Sequence, residues 1–295
     1  MPFIRLVANI FKFPIVCQGM RNKGVREVIA IDLGGTHLRV SLVKGNKIVT
    51  YNRRATPGDK ETLLRELFGM ISELMSKKIY GIGIASPGPL ENGVIKNTPN
   101  IALKNFDLKG AVKKKFGVRV EVENDANCVA LAEAKLGVRK KNFFILTLGT
   151  GIGGGVIING ELFDKGGCGA ELGHIYLTPE KDFEALAGVK AINKLTYDTF
   201  GKSAMVSDLI KMNNSKSRKI LEEIAGHLGQ GIGSLINVFN PEIVVLAGGM
   251  RAAGEDFLKI VREKTKRYIF LPRKFDIEWS KLEHPGTLGA GLLLD

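Results

Sequence analysis

The sequence predicts an α/β protein built from two related domains, and three observations support this fold class. Two glycine-rich hairpins of one design lie in different halves of the chain, at residues 28–48 and 143–162. Strand and helix patterns alternate around both hairpins, as in α/β architectures. The length of 295 residues is sufficient for two domains with substantial cores.

Each hairpin has a β-branched strand, a tight turn of Gly and Thr, a second strand and a further short turn. The short turns are residues 44–46 and 159–160. Glycines let the backbone approach a ligand closely, and Thr36 and Thr150 add hydroxyl donors. Two facing copies therefore predict a clamp for a polyphosphate such as that of ATP.

The second turn also matches the dinucleotide pattern G-x-G-x-x-G, at residues 149–154. That pattern binds a pyrophosphate when a helix follows the glycines and offers its N-terminus. Here a strand pattern follows, so the hairpin interpretation is favoured. Glycines that serve only as turns are the alternative for either hairpin alone, and this alternative is weaker for the pair.

Periodicity and turn residues predict the remaining elements. Apolar residues at helical spacing, with Asp59 or Thr62 near the start, predict a helix over residues 59–77. The other predicted elements, in order, are a strand at 79–85 with a turn at 86–89, a helix at 106–116, a strand at 118–122, a helix from Asn124 and Asp125 to 136, helices at 183–200 and 217–239, a strand at 242–246, a turn at 248–250 and a helix from 255.

The domain boundary is expected near Val122, because no low-complexity linker separates the two halves. We expect an N-terminal domain of residues 1–122, completed by a C-terminal helix at 286–295, and a second domain of residues 123–285. Residues 1–19 are expected to be an extension that is dispensable for function. Their apolar stretch is too short and too interrupted to span a membrane, and it lacks a signal-peptide pattern.

Composition narrows the function classes. Hydrophobic residues make up 44% and charged residues 25% of the chain, as in ordinary globular proteins. The net charge of +13 suits nucleic acid or anionic substrates, but the Lys and Arg residues are scattered, which favours a solvated basic surface. Three isolated cysteines, Cys17, Cys128 and Cys168, argue against a disulfide framework and favour the reducing cytoplasm.

The order of eight motifs resembles the ROK family of sugar kinases and repressors, within the actin, hexokinase and Hsp70 superfamily. The resemblance extends from Val28 to the C-terminus. It implies two actin-like ATPase domains of ribonuclease H-like fold with a cleft between them. The motifs are DLGGT at 32–36, SPGPL, NTPNI, ENDANCVALAE, LGTGIGGG, GAELGH, FEALAG and PEIVVLAGG.

The resemblance assigns Asp125 as the general base of an ATP-dependent sugar kinase. A sugar hydroxyl is a poor nucleophile, so a carboxylate must accept its proton while Mg²⁺-ATP is positioned. A role in helix capping alone is the alternative for Asp125. The positions that match sugar ligands are Asn100, Asn124, Glu171, His174 and Glu184. The positions that match ATP and phosphate contacts are Asp32, which would help orient Mg²⁺, and Gly34, Gly35, Thr36, Thr150, Gly151, Gly248 and Gly249.

The chain departs from the family pattern after His174. Most bacterial members continue with C-x-C-G-x-x-G-C-x-E, whose cysteines bind a structural zinc together with the histidine. Here the shortened segment between His174 and Glu184 contains no cysteine. We therefore expect no structural zinc. Because this loop shapes the sugar pocket, the departure bears on sugar specificity.

The resemblance favours a glucokinase or broad hexokinase, with an N-acetylhexosamine kinase or a fructokinase as alternatives. A sugar-sensing repressor would need an added winged-helix domain of roughly 60–80 residues, and the matched region already begins at Val28. An activator ATPase would need neither GAELGH nor FEALAG. The expected partners are the sugar and ATP, without nucleic acid or membrane, in a cytoplasmic homo-oligomer, either a dimer or a tetramer.

Overall fold

The computed structural model describes residues 25–98, 100–163 and 170–295. The expected extension at residues 1–19 lies outside the described residues, as do Cys17 and Cys168.

The first half of the chain contains, in order, β1 (Glu27–Leu33), β2 (His37–Lys44), β3 (Lys47–Ala55), α1 (Lys60–Leu74), β4 (Ile79–Ser86), β5 (Leu90–Glu91), β6 (Val94–Ile95), β7 (Phe106–Asp107), α2 (Leu108–Phe116), β8 (Arg119–Asn124) and α3 (Asp125–Lys135). The second half contains β9 (Phe143–Leu148), β10 (Ile152–Ile158), β11 (Glu161–Leu162), a 3₁₀ turn (Leu172–His174), α4 (Phe183–Ala187), α5 (Val189–Phe200), α6 (Val206–Met212), α7 (Ser215–Phe239), β12 (Ile243–Ala247), a 3₁₀ turn (Gly249–Ala253), α8 (Gly254–Thr265), a 3₁₀ turn (Lys266–Tyr268), β13 (Asp276–Trp279) and α9 (Pro285–Leu292).

Over the described residues, these strands form two five-stranded sheets of one topology, β3-β2-β1-β4-β8 and β11-β10-β9-β12-β13. In each sheet the hairpin strands are antiparallel, and the next two strands are added parallel to the first hairpin strand. A third, small sheet, β5-β6-β7, accompanies the first. This repeat confirms the predicted α/β class and the relation between the two hairpins.

Helices cover both faces of each large sheet. On one face of the first sheet, alternate residues of β1 (Ile29, Ile31 and Leu33) pack with apolar residues of α1 and α2. On its other face, small residues such as Ala30 and Ala85 pack with Cys128 of α3 and Ala290 of α9. The second sheet packs against α7 and α8 on one face and against α3 on the other. Helices α3 and α9 therefore lie between the two sheets.

Side-chain caps fix the starts of two helices where the sequence predicts them. The carboxylate of Asp59 accepts from the backbone N–H of Thr62 at 2.8 Å, at the start of α1. The amide oxygen of Asn124 accepts from the N–H of Ala126 at 2.9 Å, at the start of α3. Both caps are local in sequence and satisfy N–H groups that the helix leaves without partners.

Several predicted elements differ from the structure. The predicted helix at 183–200 is two helices, because Gly188 adopts an extended conformation (ψ 167°) between α4 and α5. The helix predicted from Phe106 starts at Leu108, after the short strand β7. The sequence analysis missed α6, β5, β6, β7 and β13, which are short. Among the described residues, no helix has the length and apolar character needed to cross a bilayer.

Candidate active site

A cleft of about 780 Å³ lies where the two glycine-rich turns meet the carboxyl ends of β1, β4 and β8. Ligands of α/β proteins commonly bind at the carboxyl ends of parallel strands. Most of the residues predicted for the site line this cleft: Asp32, Gly34, Gly35, Thr36, Asn100, Asn124, Asp125, Thr150, Gly151, Glu171, His174, Glu184 and Gly248. Gly249 is not among the residues that line this cleft, and its contact with the nucleotide stays a prediction. It begins the 3₁₀ turn that follows β12.

Strand alternation explains why Asp32 reaches the cleft. Asp32 is two residues after Ala30, and side chains two apart in a strand share a face. That face is the one covered by α3 and α9, and it ends at the cleft. The first turn of α9 comes close here: a Cβ on Gly286 would lie 3.3 Å from Oδ2 of Asp32. The small residue therefore leaves room for the carboxylate.

Hydrogen bonds hold the first glycine turn in shape. The N–H of Gly34 donates to the carbonyl of His37 at 3.0 Å, which closes the turn. The hydroxyl of Thr56, just after β3, donates to the carbonyl of Gly34 at 2.6 Å. Gly35 and Thr36 remain exposed to the cleft. A Cβ on Gly35 would lie 2.9 Å from Cβ of Asn100, so this turn packs directly against a predicted sugar ligand.

The second glycine turn is held by Glu184. Its Oε2 accepts from the backbone N–H of Ile152 at 2.7 Å. A Cβ on Gly151 would lie 2.1 Å from the same oxygen, so any larger residue there would displace the carboxylate. Sequence analysis places Glu184 with the sugar and Gly151 with the phosphates. The structure joins them in one contact.

Asp125 stands at the start of α3 with its side chain half-buried. Burial raises the pKa of Asp125 to about 7, and the negative charge of Asp32 adds to the rise, followed by that of Glu171. A hydrogen bond from the N–H of Ala126, at 2.8 Å, opposes the rise in part. A carboxyl with a pKa near neutral suits proton acceptance at neutral pH, since catalytic bases work best near the operating pH.

Arg39 pairs with Asp32 in the same cleft. Its Nη1 lies 3.0 Å from Oδ2 of Asp32, and both side chains are largely buried. Burial raises the pKa of Asp32, and the guanidinium of Arg39 opposes this rise. The pair brings a cation and a carboxylate to the end of β1, where phosphates are expected.

Asn124 is almost fully buried, and both ends of its amide are engaged. Its oxygen caps α3, and its Nδ2 donates to the carbonyl of Gly88 at 3.4 Å. Asn124 therefore ties the start of α3, where Asp125 lies, to the turn after β4. Asn100, in contrast, is exposed at the cleft.

Glu171 precedes the 3₁₀ turn, His174 is its last residue, and both are exposed to the cleft. Partial burial raises the pKa of Glu171, and the neighbouring Glu184 adds to the rise. The pKa of His174 is raised chiefly by its hydrogen bond to Asp182, with further contributions from Glu184 and Glu171. Carboxylates and a histidine thus converge on one wall of the cleft.

The described residues do not fit a structural zinc. Among them, no group of three or more His, Cys, Asp and Glu side chains is arranged to hold a metal ion. The Nδ1 of His174 lies 3.0 Å from Oδ2 of Asp182, so a carboxylate occupies that ring nitrogen. A tetrahedral zinc site would need several S or N ligands around one point.

Sequence analysis missed Arg39 and Thr147, which both line the cleft. An alignment of the two hairpins could have found Thr147: Thr147-Leu-Gly-Thr matches Asp32-Leu-Gly-Gly, so Thr147 occupies the place of Asp32 in the second sheet. No local signal identifies Arg39, because its partner is fixed by the pairing of β1 with β2, in which Asp32 lies opposite Arg39.

Comparison with known proteins gives consistent matches over most of the chain. A family model described as the ROK family matches residues 28–295. A glucokinase of Thermotoga maritima is 32% identical over 307 residues, covering 91% of this chain and 97% of its own. A xylose repressor of Caldicellulosiruptor bescii is 30% identical, covering 89% of this chain and 76% of its own. The crystal structure of a ROK hexokinase from Thermus thermophilus has a TM-score of 0.77 at 30% identity, covering 90% and 97%.

Proposed function

We propose, from the premise that this chain belongs to the ROK family, that it is an ATP-dependent hexose kinase with Asp125 as its general base. The kinase activity agrees with the glucokinase relative and the hexokinase structure. The observation that carries the role of Asp125 is its position: a half-buried carboxyl with a pKa of about 7, in a cleft lined by both glycine turns. From there it would accept the proton of the attacking sugar hydroxyl.

The two glycine turns would hold the phosphates of ATP from opposite sides of the cleft. Their backbone would approach the ligand where a side chain would obstruct it, and Thr36 and Thr150 are exposed in the cleft. Gly248 would contribute at the end of β12, where its φ of 92° favours glycine. Bound Mg²⁺ would neutralise charge on the phosphates, and Asp32 is the residue that would hold it.

The sugar would occupy the wall formed by Asn100, Asn124, Glu171, His174 and Glu184. Carboxylates accept from several sugar hydroxyls, while amide and imidazole N–H groups donate to them. Asn124 is suited to bind the sugar because it lies next to Asp125, and its side-chain amide is held in place by capping α3. The contact of Gly35 with Asn100 and that of Glu184 with Ile152 bring this wall against both phosphate turns.

Closure of two domains would exclude water from the transfer step. The proposed units are residues 1–122 with helix 286–295, and residues 123–285. Helices α3 and α9 cross between them so closely that a Cβ on Gly289 would lie 1.8 Å from the carbonyl oxygen of Cys128. Such a close crossing would act as a pivot about which the two sheets move. Closure would exclude water, so that the phosphate is transferred to the sugar hydroxyl.

The test is a coupled assay of ADP release across a panel of hexoses and N-acetylhexosamines. We expect ADP release that depends on a hexose, with glucose among the accepted sugars. A preference for fructose or for an N-acetylhexosamine would identify the protein as a fructokinase or as an N-acetylhexosamine kinase, respectively. ATP turnover without any sugar would favour an activator ATPase. Sugar-sensitive binding to DNA in a gel shift, without ADP release, would favour a repressor.

We further propose that the enzyme works in the cytoplasm as a homo-oligomer, either a dimer or a tetramer, and binds no nucleic acid or membrane. The buried free thiol of Cys128 agrees with a reducing compartment. Light scattering of the purified protein at several concentrations tests the oligomeric state. A monomer at all concentrations would contradict it.

Glu184 offers a test of the coupling between the two ligand sites. Glu184→Ala should weaken hexose binding by about 1.5–3 kcal/mol, the range for hydrogen bonds to charged groups. It should also raise the KM for ATP, because Ile152 N–H loses its acceptor. Glu184→Gln keeps an oxygen for that N–H, so the KM for ATP should stay near the wild-type value. Calorimetric titration of both ligands checks this. An unchanged hexose affinity in both variants would remove Glu184 from the sugar site.

The activity should fall as the pH is lowered through about 7, because Asp125 accepts a proton only when ionised and its pKa is about 7. The charge of Asp32 contributes to that raised pKa. Asp32→Asn should therefore move the acid limb of the kcat/KM profile to lower pH, whatever it does to the maximal rate. A profile with the same midpoint in both proteins would show that another group controls the acid limb.

A further inference from the structure

Asp182 lies at the start of α4, and its two oxygens have different partners. Oδ1 accepts from the backbone N–H of Ala185 at 2.8 Å and caps the helix. Oδ2 lies 3.0 Å from Nδ1 of His174. Burial alone would raise the pKa of Asp182, but the hydrogen bonds from His174 and Ala185 hold it below its usual value. An ionised carboxylate only accepts hydrogen bonds, so Nδ1 carries the hydrogen in this pair.

The loop that carries this pair is closed by backbone contacts and one buried ring. Tyr176 and Asp182 form an antiparallel bridge, and the N–H of Phe183 donates to the carbonyl of Ile175 at 2.8 Å. The ring of Phe183 is fully buried. It packs so closely on α7 that a Cβ on Gly231 would lie 2.5 Å from it. Asp182 is therefore fixed in place next to an anchored residue.

We propose that Asp182 is a positioning residue that sets the orientation of His174 toward the sugar, through the hydrogen bond to Nδ1. The proposal rests on the proposed function, because that function places a hexose against His174. In the family pattern given above, the last cysteine stands two residues before the glutamate. Here Asp182 stands two residues before Glu184. Asp182 thus stands where the family pattern has a zinc-binding cysteine, and its carboxylate is hydrogen-bonded to His174. Among the described residues, no group of side chains around this pair fits a zinc ion.

The pair leaves one ring nitrogen for the substrate. With Nδ1 engaged, Nε2 is the nitrogen of His174 that remains available in the cleft. Three carboxylates surround the ring, namely Asp182, Glu171 and Glu184, and together they raise the pKa of His174. The protonated ring would donate from Nε2 to a sugar oxygen. Without Asp182, the exposed imidazole is free to rotate, so we expect a loss of sugar affinity with little change at the phosphate side.

The test compares Asp182→Asn with a matched control. Asparagine caps a helix as well as aspartate but carries no charge, so α4 should keep its cap. Asp59→Asn is the control, because Asp59 caps α1 in the same way, through Thr62 N–H at 2.8 Å. We expect Asp182→Asn to lower the pKa of His174 in an NMR titration and to raise the hexose Kd about tenfold, the lower end of the range for a hydrogen bond to a charged group. The control should change neither.

A double variant separates positioning from a general structural effect. In a His174→Gln background, Asp182→Asn should change the hexose Kd by less than about twofold, because the residue it acts through is gone. An equal tenfold loss in that background would overturn the proposal, as would an unchanged His174 pKa in the single variant. Elemental analysis that finds about one zinc per chain would overturn it as well.

The NMR titration keeps the two proposals distinguishable, because it needs no substrate. If the wild-type protein binds no hexose while Asp182→Asn still lowers the pKa of His174, the kinase assignment fails and the Asp182–His174 link stands. If the protein binds hexose and the pKa does not move, the kinase assignment stands and the link fails.

Discussion

Asp125→Asn should lower kcat by about 10²- to 10⁴-fold, the usual effect of losing a general base. Asparagine has nearly the same volume, and the cap of α3 comes from Asn124, so the fold should be retained. Hexose and ATP should still bind, because the proposed sugar ligands and both glycine turns are unchanged. Single-turnover kinetics with calorimetric titration of both ligands checks this result. Turnover within a few-fold of the wild-type rate would exclude Asp125 as the base.

The same variant should gain stability at high pH. The pKa of Asp125 in the folded protein is about 7, raised from an ordinary value of 3.8, so the folded state holds its proton more tightly than the unfolded state. The stability that protonation of Asp125 contributes is therefore fully present below about pH 4 and is lost as the pH rises through about 7. Asparagine does not ionise, so Asp125→Asn should be about 1–3 kcal/mol more stable at pH 8. The difference should vanish near pH 4 in urea melts.

Gly173→Ala should cause the second large effect, a loss of both stability and hexose affinity. Gly173 lies in the 3₁₀ turn between Glu171 and His174, and a Cβ there would lie 1.9 Å from the backbone carbonyl oxygen of Ile152. A backbone atom at the start of β10 cannot move aside as a flexible side chain would. The variant should therefore lose about 1–3 kcal/mol of stability, or more, as overpacked sites do. Its hexose affinity should fall further than its ATP affinity, because the turn positions Glu171 and His174, two of the proposed sugar ligands.

Gly69→Ala is the matched control for that variant. Gly69 is exposed within α1, and apart from the backbone of its own helix no atom lies within 4 Å of the position a Cβ would take. Alanine there should stabilise the protein by about 0.5–1 kcal/mol, since glycine is unfavourable inside helices. Both ligand affinities should stay unchanged. Thermal melts and titrations compare the two variants. Wild-type hexose binding by Gly173→Ala would show that the close packing of the turn on β10 is dispensable.

Most of the architecture could be predicted from the sequence, because its signals are local. The two hairpins are encoded by strand alternation and by glycines in their turns. The caps at Asp59 and Asn124 fix the starts of α1 and α3 within three residues of themselves. Order and spacing of the motifs were enough to predict the family, and the match over residues 28–295 confirms it. The assigned roles of the site residues remain predictions.

Shorter elements and helix breaks were less predictable. Residues 183–200 have a helical pattern throughout, yet α4 ends after one short turn. The N–H of Gly188 still makes the helical bond to the carbonyl of Glu184 at 2.8 Å, but its ψ of 167° turns the chain out of the helix. Strand β13 is a strand because it pairs with β12, and its own four residues contain no pattern that predicts this pairing.

The sequence by itself determined which residue types reach the cleft, since strand period, turn glycines and helix caps act over a few residues. Only the tertiary structure decided which of them touch. The pairs Asp32–Arg39, Glu184–Ile152 and His174–Asp182 join different elements of the fold. The raised pKa of Asp125 has the same origin, because it comes from burial and from charges on Asp32 and Glu171. Solvation and Coulomb energies depend on distance in space, and separation along the chain does not specify that distance.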